Sequence, residues 1–267
     1  MVGGKKMSKF WRTTISKVEP SKILIRGYRI EDLIGNYSFA ETVFLLFTSK
    51  LPNEAEGRIM DAMLTSCVDH SLASPSTDAL RFVAAAGTTL QASIAAGILT
   101  FGKYHAASIE PSAQMLQEGV TRKNEDPRLD IQTVAKRIVQ EHRDNKKRVI
   151  GYGHAYHKED PRTTKLLQLA KESGIAKDHV ALAEAIEIEL ERQVGKKLIL
   201  NVDGTIAAII SDLGIDWRLA TAFFIISRIP GLAAHYFEQI TKERPYKSVP
   251  LDEISYEGPP ERDIPKK

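Results

Sequence analysis

The chain has 267 residues, 43% of them apolar, enough to bury a sizeable core in one or two domains. A net charge of +3 gives no support to nucleic-acid binding, which needs a clustered basic face, but it suits an enzyme of small anions whose basic groups converge. The single cysteine, Cys67, rules out an intrachain disulfide and points to a reducing, cytoplasmic setting.

Residues 1–9 are polar and basic with no apolar run behind them, so no signal peptide is expected. Residues 10–34 alternate basic and apolar groups around Lys22-Ile23-Leu24-Ile25-Arg26-Gly27-Tyr28, the pattern of a short hairpin. Ser38-Phe39-Ala40-Glu41 is a capping box, opening a helix that carries Val43, Phe44, Leu45 and Leu46. Residues 54–68 set Ile59, Met60, Met63, Leu64 and Cys67 on one helical face. Residues 78–102 are rich in Ala and Gly. Arg81, Thr88, Thr89, Gln91 and Ser93 make them too polar for a membrane span of about 20 apolar residues, so they predict one buried helix that a neighbour can approach closely.

Asp126-Pro127 marks a polar loop over residues 121–130. Ile131, Val134, Ile138 and Val139 then predict a helix over 130–146. Residues 150–162, rich in Gly, His and charge without a period, read as a functional loop. Amphipathic helices follow at 162–173 and 178–193. Asp216 caps another running to Ser227, and 231–242 forms the last. The tail after Tyr246 is proline-rich and irregular. Strand content is minimal, and the class is mostly α.

Four of the seven histidines stand in unusual company. His70 follows Asp69. His105 lies in Gly102-Lys103-Tyr104-His105-Ala106-Ala107. His154 ends Gly151-Tyr152-Gly153-His154, and His157 precedes Asp160-Pro161-Arg162. Asn201-Val202-Asp203-Gly204 closes the apolar run Leu198-Ile199-Leu200. Taken singly, each has a plain reading. A histidine serves well at a helix end, glycines mark any tight turn, and Asn-Val-Asp-Gly is an ordinary turn sequence. No third glycine opens a helix after Gly153, so there is no dinucleotide fingerprint. One cysteine and no His-Glu-x-x-His pattern leave no frame for a metal. Lys146, Lys147 and Arg148 read as a solvated helix end. Arg162, Arg228 and Arg244 each sit beside a proline or glycine turn, where a guanidinium can offer a bidentate fork to a carboxylate.

The ordered set Asp69-His70, His105-Ala106-Ala107, Gly151-Tyr152-Gly153-His154, Asp160-Pro161-Arg162, Asn201-Val202-Asp203, Ser227-Arg228 and Glu243-Arg244-Pro245 resembles the citrate synthase family from Ile23 onward. That resemblance implies a citrate synthase-like, two-domain helical fold. Residues 1–107 and 210–267 would form a large domain and 108–209 a small one, with the active site in the cleft between them. It also implies roles. His70, Arg162, Arg228 and Arg244 would hold carboxylates, with Arg244 reaching into a neighbouring subunit's site. His154 would bind the keto oxygen, His105 would donate to the thioester carbonyl, and Asp203 would move the methyl proton. His157 and Lys158 would bind CoA.

These residue types suit the chemistry. A thioester methyl is a poor carbon acid, so its enolate needs a donor at the carbonyl oxygen as well as a base. The short chain, Gly204 after Asp203, and Asp252-Glu253-Ile254-Ser255-Tyr256 are most similar to citryl-CoA lyases and the lyase module of ATP-citrate lyase. The expected activity is cleavage of (S)-citryl-CoA to acetyl-CoA and oxaloacetate. A citrate or 2-methylcitrate synthase is the close alternative, since His105 resembles the synthases. A non-catalytic CoA-binding partner subunit is the second, though such a module has no need of a base. No cofactor is expected beyond the CoA thioester itself. The resemblance also implies a homodimer or dimer-based assembly, with residues 78–102 as candidate interface, and a citryl-CoA synthetase as candidate partner. Neither nucleic acid nor membrane is expected as a partner.

Overall fold

The computed structural model describes residues 10–153 and 159–265. The basic–apolar alternation near the start folds as an antiparallel sheet of Ser16–Glu19 (β1), Lys22–Ile25 (β2) and Tyr28–Arg29 (β3), with Ser16 opposite Ile25 and Leu24 opposite Arg29. The guanidinium of Arg26 donates to the Leu46 carbonyl from Nη2 (2.6 Å) and Nε (3.2 Å). That ties the sheet to helix α2, Phe39–Thr48, which follows the short α1, Ile30–Leu33. Both halves of the Ser38/Glu41 capping box form. A second box, Asn53/Glu56, opens α3, Glu54–Ser66, and Ile59, Met60, Met63 and the following Cys67 are buried.

Packing divides the chain into two compact units, Met1–Asp69 with Phe101–Ile229, and His70–Thr100 with Pro230–Lys267. The first unit contains α6, Ile109–Glu125; α7, Ile131–Asp144; α8, Pro161–Glu172; α9, Asp178–Val194; and α10, Val202–Asp212. α10 is its centre. Ile206, Ala207, Ala208, Ile209 and Ile210 are all sealed from solvent, the mark of a helix apolar on every side and therefore surrounded. Its neighbours are close. A Cβ added at Gly119 on α6 would lie 2.7 Å from Leu182 of α9 and 3.1 Å from Ile138 of α7. The loop anticipated over 121–130 is shorter than that, because α6 continues to Glu125 before Asp130 caps α7.

The second unit corrects the reading of 78–102 as one buried helix. Two helices form, α4, Pro75–Ala85, and α5, Leu90–Leu99. Gly87 turns the chain with a φ of 84°, the Thr88 hydroxyl donates to the Val83 carbonyl (2.9 Å), and Thr89 caps α5. Phe82, Leu90 and Leu99 are exposed. A Cβ at Gly97 would meet the Ser76 carbonyl at 2.9 Å, so only glycine lets α5 approach α4 there. Arg81, almost wholly buried, pairs with Glu238 at 2.7 Å.

The last two expected helices are one, α11, Ala220–Lys242, running through Pro230. Proline removes one N–H from the helical ladder without ending the helix here; Ser227 before it and Leu232 after it are buried. Asp216 caps not a long helix but a single 3₁₀ turn, Trp217–Leu219. Among the described residues no helix is long and apolar enough to cross a membrane.

One cap holds the first unit's helices in register. Lys177 stands at the N-cap of α9 and provides no side-chain cap. Asp212, from the end of α10, supplies it, accepting from the backbone of Lys177 (2.7 Å), His179 (3.0 Å) and Val180 (3.1 Å) and from His179 Nδ1 (2.8 Å). Burial alone would raise the carboxyl pKa, but these bonds hold it below the ordinary range. A depressed pKa means stability that is present at neutral pH and lost as pH falls through the folded value. Asp212→Ala should therefore lower stability by about 2 kcal/mol at pH 7. The gap from wild type, followed by denaturant melts, should narrow as the pH is lowered into that range.

Candidate active site

The apolar run Leu198-Ile199-Leu200 delivers the chain to the start of α10, where Asn201 is the N-cap and its Oδ1 accepts from Gly204 N (3.1 Å). Asp203 thus lies in the first turn of a helix rather than in an isolated turn. The loop carrying Gly151-Tyr152-Gly153 is strapped to this start. Gly153 N donates to the Ile199 carbonyl (2.6 Å), Asn201 N to the Gly151 carbonyl (3.0 Å), and Asn201 Nδ2 to the Gly153 carbonyl (2.9 Å). The approach leaves no room for side chains. A Cβ at Gly204 would lie 2.6 Å from the Gly151 carbonyl oxygen, and Gly151 itself adopts a φ of 92°. Gly204 therefore has a steric reason that sequence alone did not supply. His154 follows directly; His154, His157 and Lys158 lie outside the described residues.

Asp160 caps α8 and grips Arg162 at Nε and Nη2 (2.9 Å each). Its Oδ2 also accepts from Val202 N at 3.2 Å, and Thr205 donates to Thr163 (3.0 Å), so the starts of α8 and α10 are joined. Arg228, 1% exposed, donates from Nε to the Cys67 carbonyl (2.9 Å) and lies 5.0 Å over the Phe224 ring. His105 sits in a turn closed by hydrogen bonds with Gly102 (2.8 and 2.9 Å). Its ring packs edge-on to Phe101 (5.5 Å) and Phe224 (6.5 Å), so Phe224 is shared by His105 and Arg228.

The first unit brings Asp203, Arg162 and Arg228 close enough for their charges to act on one another. Surrounding protein pushes the Asp203 pKa up; the Ser108 hydroxyl, which donates to its Oδ2, and the two guanidiniums pull the other way without cancelling it. Burial, with Asp203 next, pushes the Cys67 thiol up to about 11, so it is protonated at neutral pH and no nucleophile. His70 and Arg244 belong to the second unit. His70 precedes a 3₁₀ turn, Ser71–Ala73. Arg244 is exposed, its carbonyl accepting from Gln239 (3.2 Å).

Sequence reasoning did not find Ser108, which stood in no motif, and read Cys67 only as the lone cysteine on a buried helical face. It also read Lys147 and Arg148 only as a solvated helix end. They are exposed, and with His142, Arg143 and Lys196 they line a cavity of about 720 Å³ that reaches Gly153.

The family model for the C-terminal domain of citrate synthase matches residues 6–58 and 53–248. The chain belongs to the citrate synthase family. Within it, the chain closely resembles the citryl-CoA lyase of Hydrogenobacter thermophilus, whose structure is 42% identical, superposes with a TM-score of 0.88, and matches over 96% of this chain and 98% of that one. A citrate synthase of Synechocystis sp. is 30% identical over 78% of this chain and 51% of that protein. The citrate/2-methylcitrate synthase of Bacillus subtilis is 29% identical over 83% and 57%. The chain spans about half the length of these curated relatives.

A carboxyl whose folded pKa is raised costs stability as pH climbs from its unfolded value, 3.8, through the folded one. Asp203→Asn removes that cost. Its melting temperature at pH 7 should match or exceed wild type, by about 2–4 °C for each kcal/mol recovered. The difference should vanish below pH 3.8, where both side chains are neutral.

Proposed function

We propose that the protein is a citryl-CoA lyase, cleaving (S)-citryl-CoA to acetyl-CoA and oxaloacetate. The observation that carries this reading over the synthase one is the match to citryl-CoA lyase across 98% of that chain, against 51% of the Synechocystis synthase. The clustering of Asp203, Arg162 and Arg228 supports the same chemistry.

Arg162 and Arg228, with His70 and Arg244, hold the carboxylates of the citryl group, Arg244 acting on the site of a second subunit in a dimer or dimer-based assembly. His154 takes the tertiary hydroxyl proton as that oxygen becomes the keto oxygen of oxaloacetate. The carbon–carbon bond breaks and its electron pair passes to the acetyl carbon. His105 donates to the thioester oxygen of the resulting enolate, and protonated Asp203 delivers a proton to carbon. A surrounded carboxyl with a raised pKa suits that exchange better than one in water, because its neutral form is accessible. The basic cavity beside Gly153 suits the phosphates of CoA, with His157 and Lys158 following in the chain. Residues 108–209 act as the small domain, closing on the thioester and excluding water. The setting is cytoplasmic, and a citryl-CoA synthetase supplies the substrate.

Purified protein incubated with citryl-CoA should release acetyl-CoA and oxaloacetate in equal amounts, and Asp203→Asn should lose about 10²–10⁴-fold in rate with its fold intact. Faster net condensation than cleavage at matched thioester concentrations would favour the synthase instead. The two histidines should fail differently. His105→Ala should suppress solvent exchange of the acetyl-CoA methyl protons, whereas His154→Ala should spare exchange and block the carbon–carbon step. Losing one oxyanion donor is worth about 2.7–4 kcal/mol. Equal exchange defects, measured by NMR with a non-reactive dicarboxylate present, would contradict these roles.

A further inference from the structure

Ser108 occupies the N-cap of α6, where a serine hydroxyl ordinarily accepts from an N–H of the first helical turn. Here its φ of −71° and ψ of −18° are already helical, and the side chain makes no cap bond. The hydroxyl is donated instead to Oδ2 of Asp203 in the first turn of α10. The segment before it is tightly wound. The Gly102/His105 turn is closed by two backbone hydrogen bonds, Ala106 holds a left-handed φ of 62°, and Ala107 N donates to the His105 carbonyl (2.8 Å). A left-handed conformation at a residue with a Cβ is disfavoured and persists only where its surroundings impose it. The short segment from His105 to Ser108 therefore aims one hydroxyl at another helix instead of along its own.

We propose that Ser108 is a positioning residue for proton transfer at Asp203: by donating to Oδ2 it fixes the carboxyl group's rotamer and leaves Oδ1 to exchange the proton with the substrate carbon. This rests on the proposed role of Asp203. Only Ala106 and Ala107 separate Ser108 from His105, so one segment carries the donor for the enolate oxygen and also orients the group that serves its carbon. The surrounding protein disfavours the ionised carboxylate, and the Ser108 hydroxyl is foremost among the groups that offset this. Without it the ionised form becomes scarcer and the carboxyl freer to turn. Because the side chain makes no cap bond, its truncation removes no capping interaction from α6.

The test is the pH profile of acetyl-CoA methyl-proton exchange in wild type, Ser108→Ala, Ser108→Thr and Ser108→Cys, with a non-reactive dicarboxylate present. Exchange needs the ionised carboxylate, so the acid limb reports it. The limb should move up by about one pH unit in Ser108→Ala, a loss of about tenfold at any pH on that limb. Ser108→Thr, which keeps the hydroxyl, should follow wild type, and Ser108→Cys, a weaker donor, should fall between. If the alanine variant does not fold, the cysteine variant carries the same comparison. An unmoved limb in Ser108→Ala, or equal slowing in the Ala and Thr variants, overturns the positioning role. Asp203→Asn inactive beside a normal Ser108→Ala overturns this inference alone, whereas no exchange in wild type overturns the Asp203 reading and this one with it.

Discussion

The site is organised around one carboxyl group held where water cannot fully solvate it. Asp203 sits in the first turn of α10, where the helix's free N–H groups favour negative charge, yet the surrounding protein disfavours it more. The balance leaves a pKa above the ordinary value, adjusted by a neutral donor, Ser108, and two guanidiniums, Arg162 and Arg228. Such a group passes between its two protonation states at modest cost, as the proton transfer proposed for it requires.

The scaffold explains why this balance is stable. The apolar residues 206–210 of α10 are sealed on every side, so its first turn cannot shift without moving a filled core. Its ends are fixed by other elements: Asp160 bonds its first residue, the Gly151–Gly153 segment is strapped to its N-cap, and Asp212 at the other end caps α9. The close contact of Gly151 with Gly204 brings the loop that leads to His154 against the turn that carries Asp203. Arg162 is oriented by the same aspartate that caps its helix. Asp203, Arg162 and Arg228 are thus each placed by a local device: a glycine contact beside an N-cap, a capping aspartate, or a guanidinium–carbonyl bond.

Much of this was legible in the sequence, and what was not had physical reasons. The Ser38 capping box, the periodic faces of α3 and α7, and the motif order that identifies the family depend on short-range patterns that a linear reading captures. The break at Gly87 was hidden because a run of small residues carries almost no periodicity, so one glycine decided the outcome. Passage of α11 through Pro230 was hidden for the opposite reason: a proline is a strong local stop signal that tertiary packing can override. Ser108 gave no signal, since its importance lies in contact with a residue far along the chain, and Cys67 was read only as part of a buried helical face, its carbonyl's bond to Arg228 lying beyond any local pattern. Gly204 was noticed as a family likeness, but its steric cause required the position of Gly151.

The central claim is that Asp203 carries a raised pKa because of where it is held. It is tested most directly by titrating the side-chain carboxyls of aspartate-labelled protein by ¹³C NMR, in wild type and in Asp203→Asn. Wild type should show one carboxyl resonance that titrates above 3.8 and is missing from the variant. A wild-type protein in which the resonance lost on substitution titrates at or below 3.8 would contradict it.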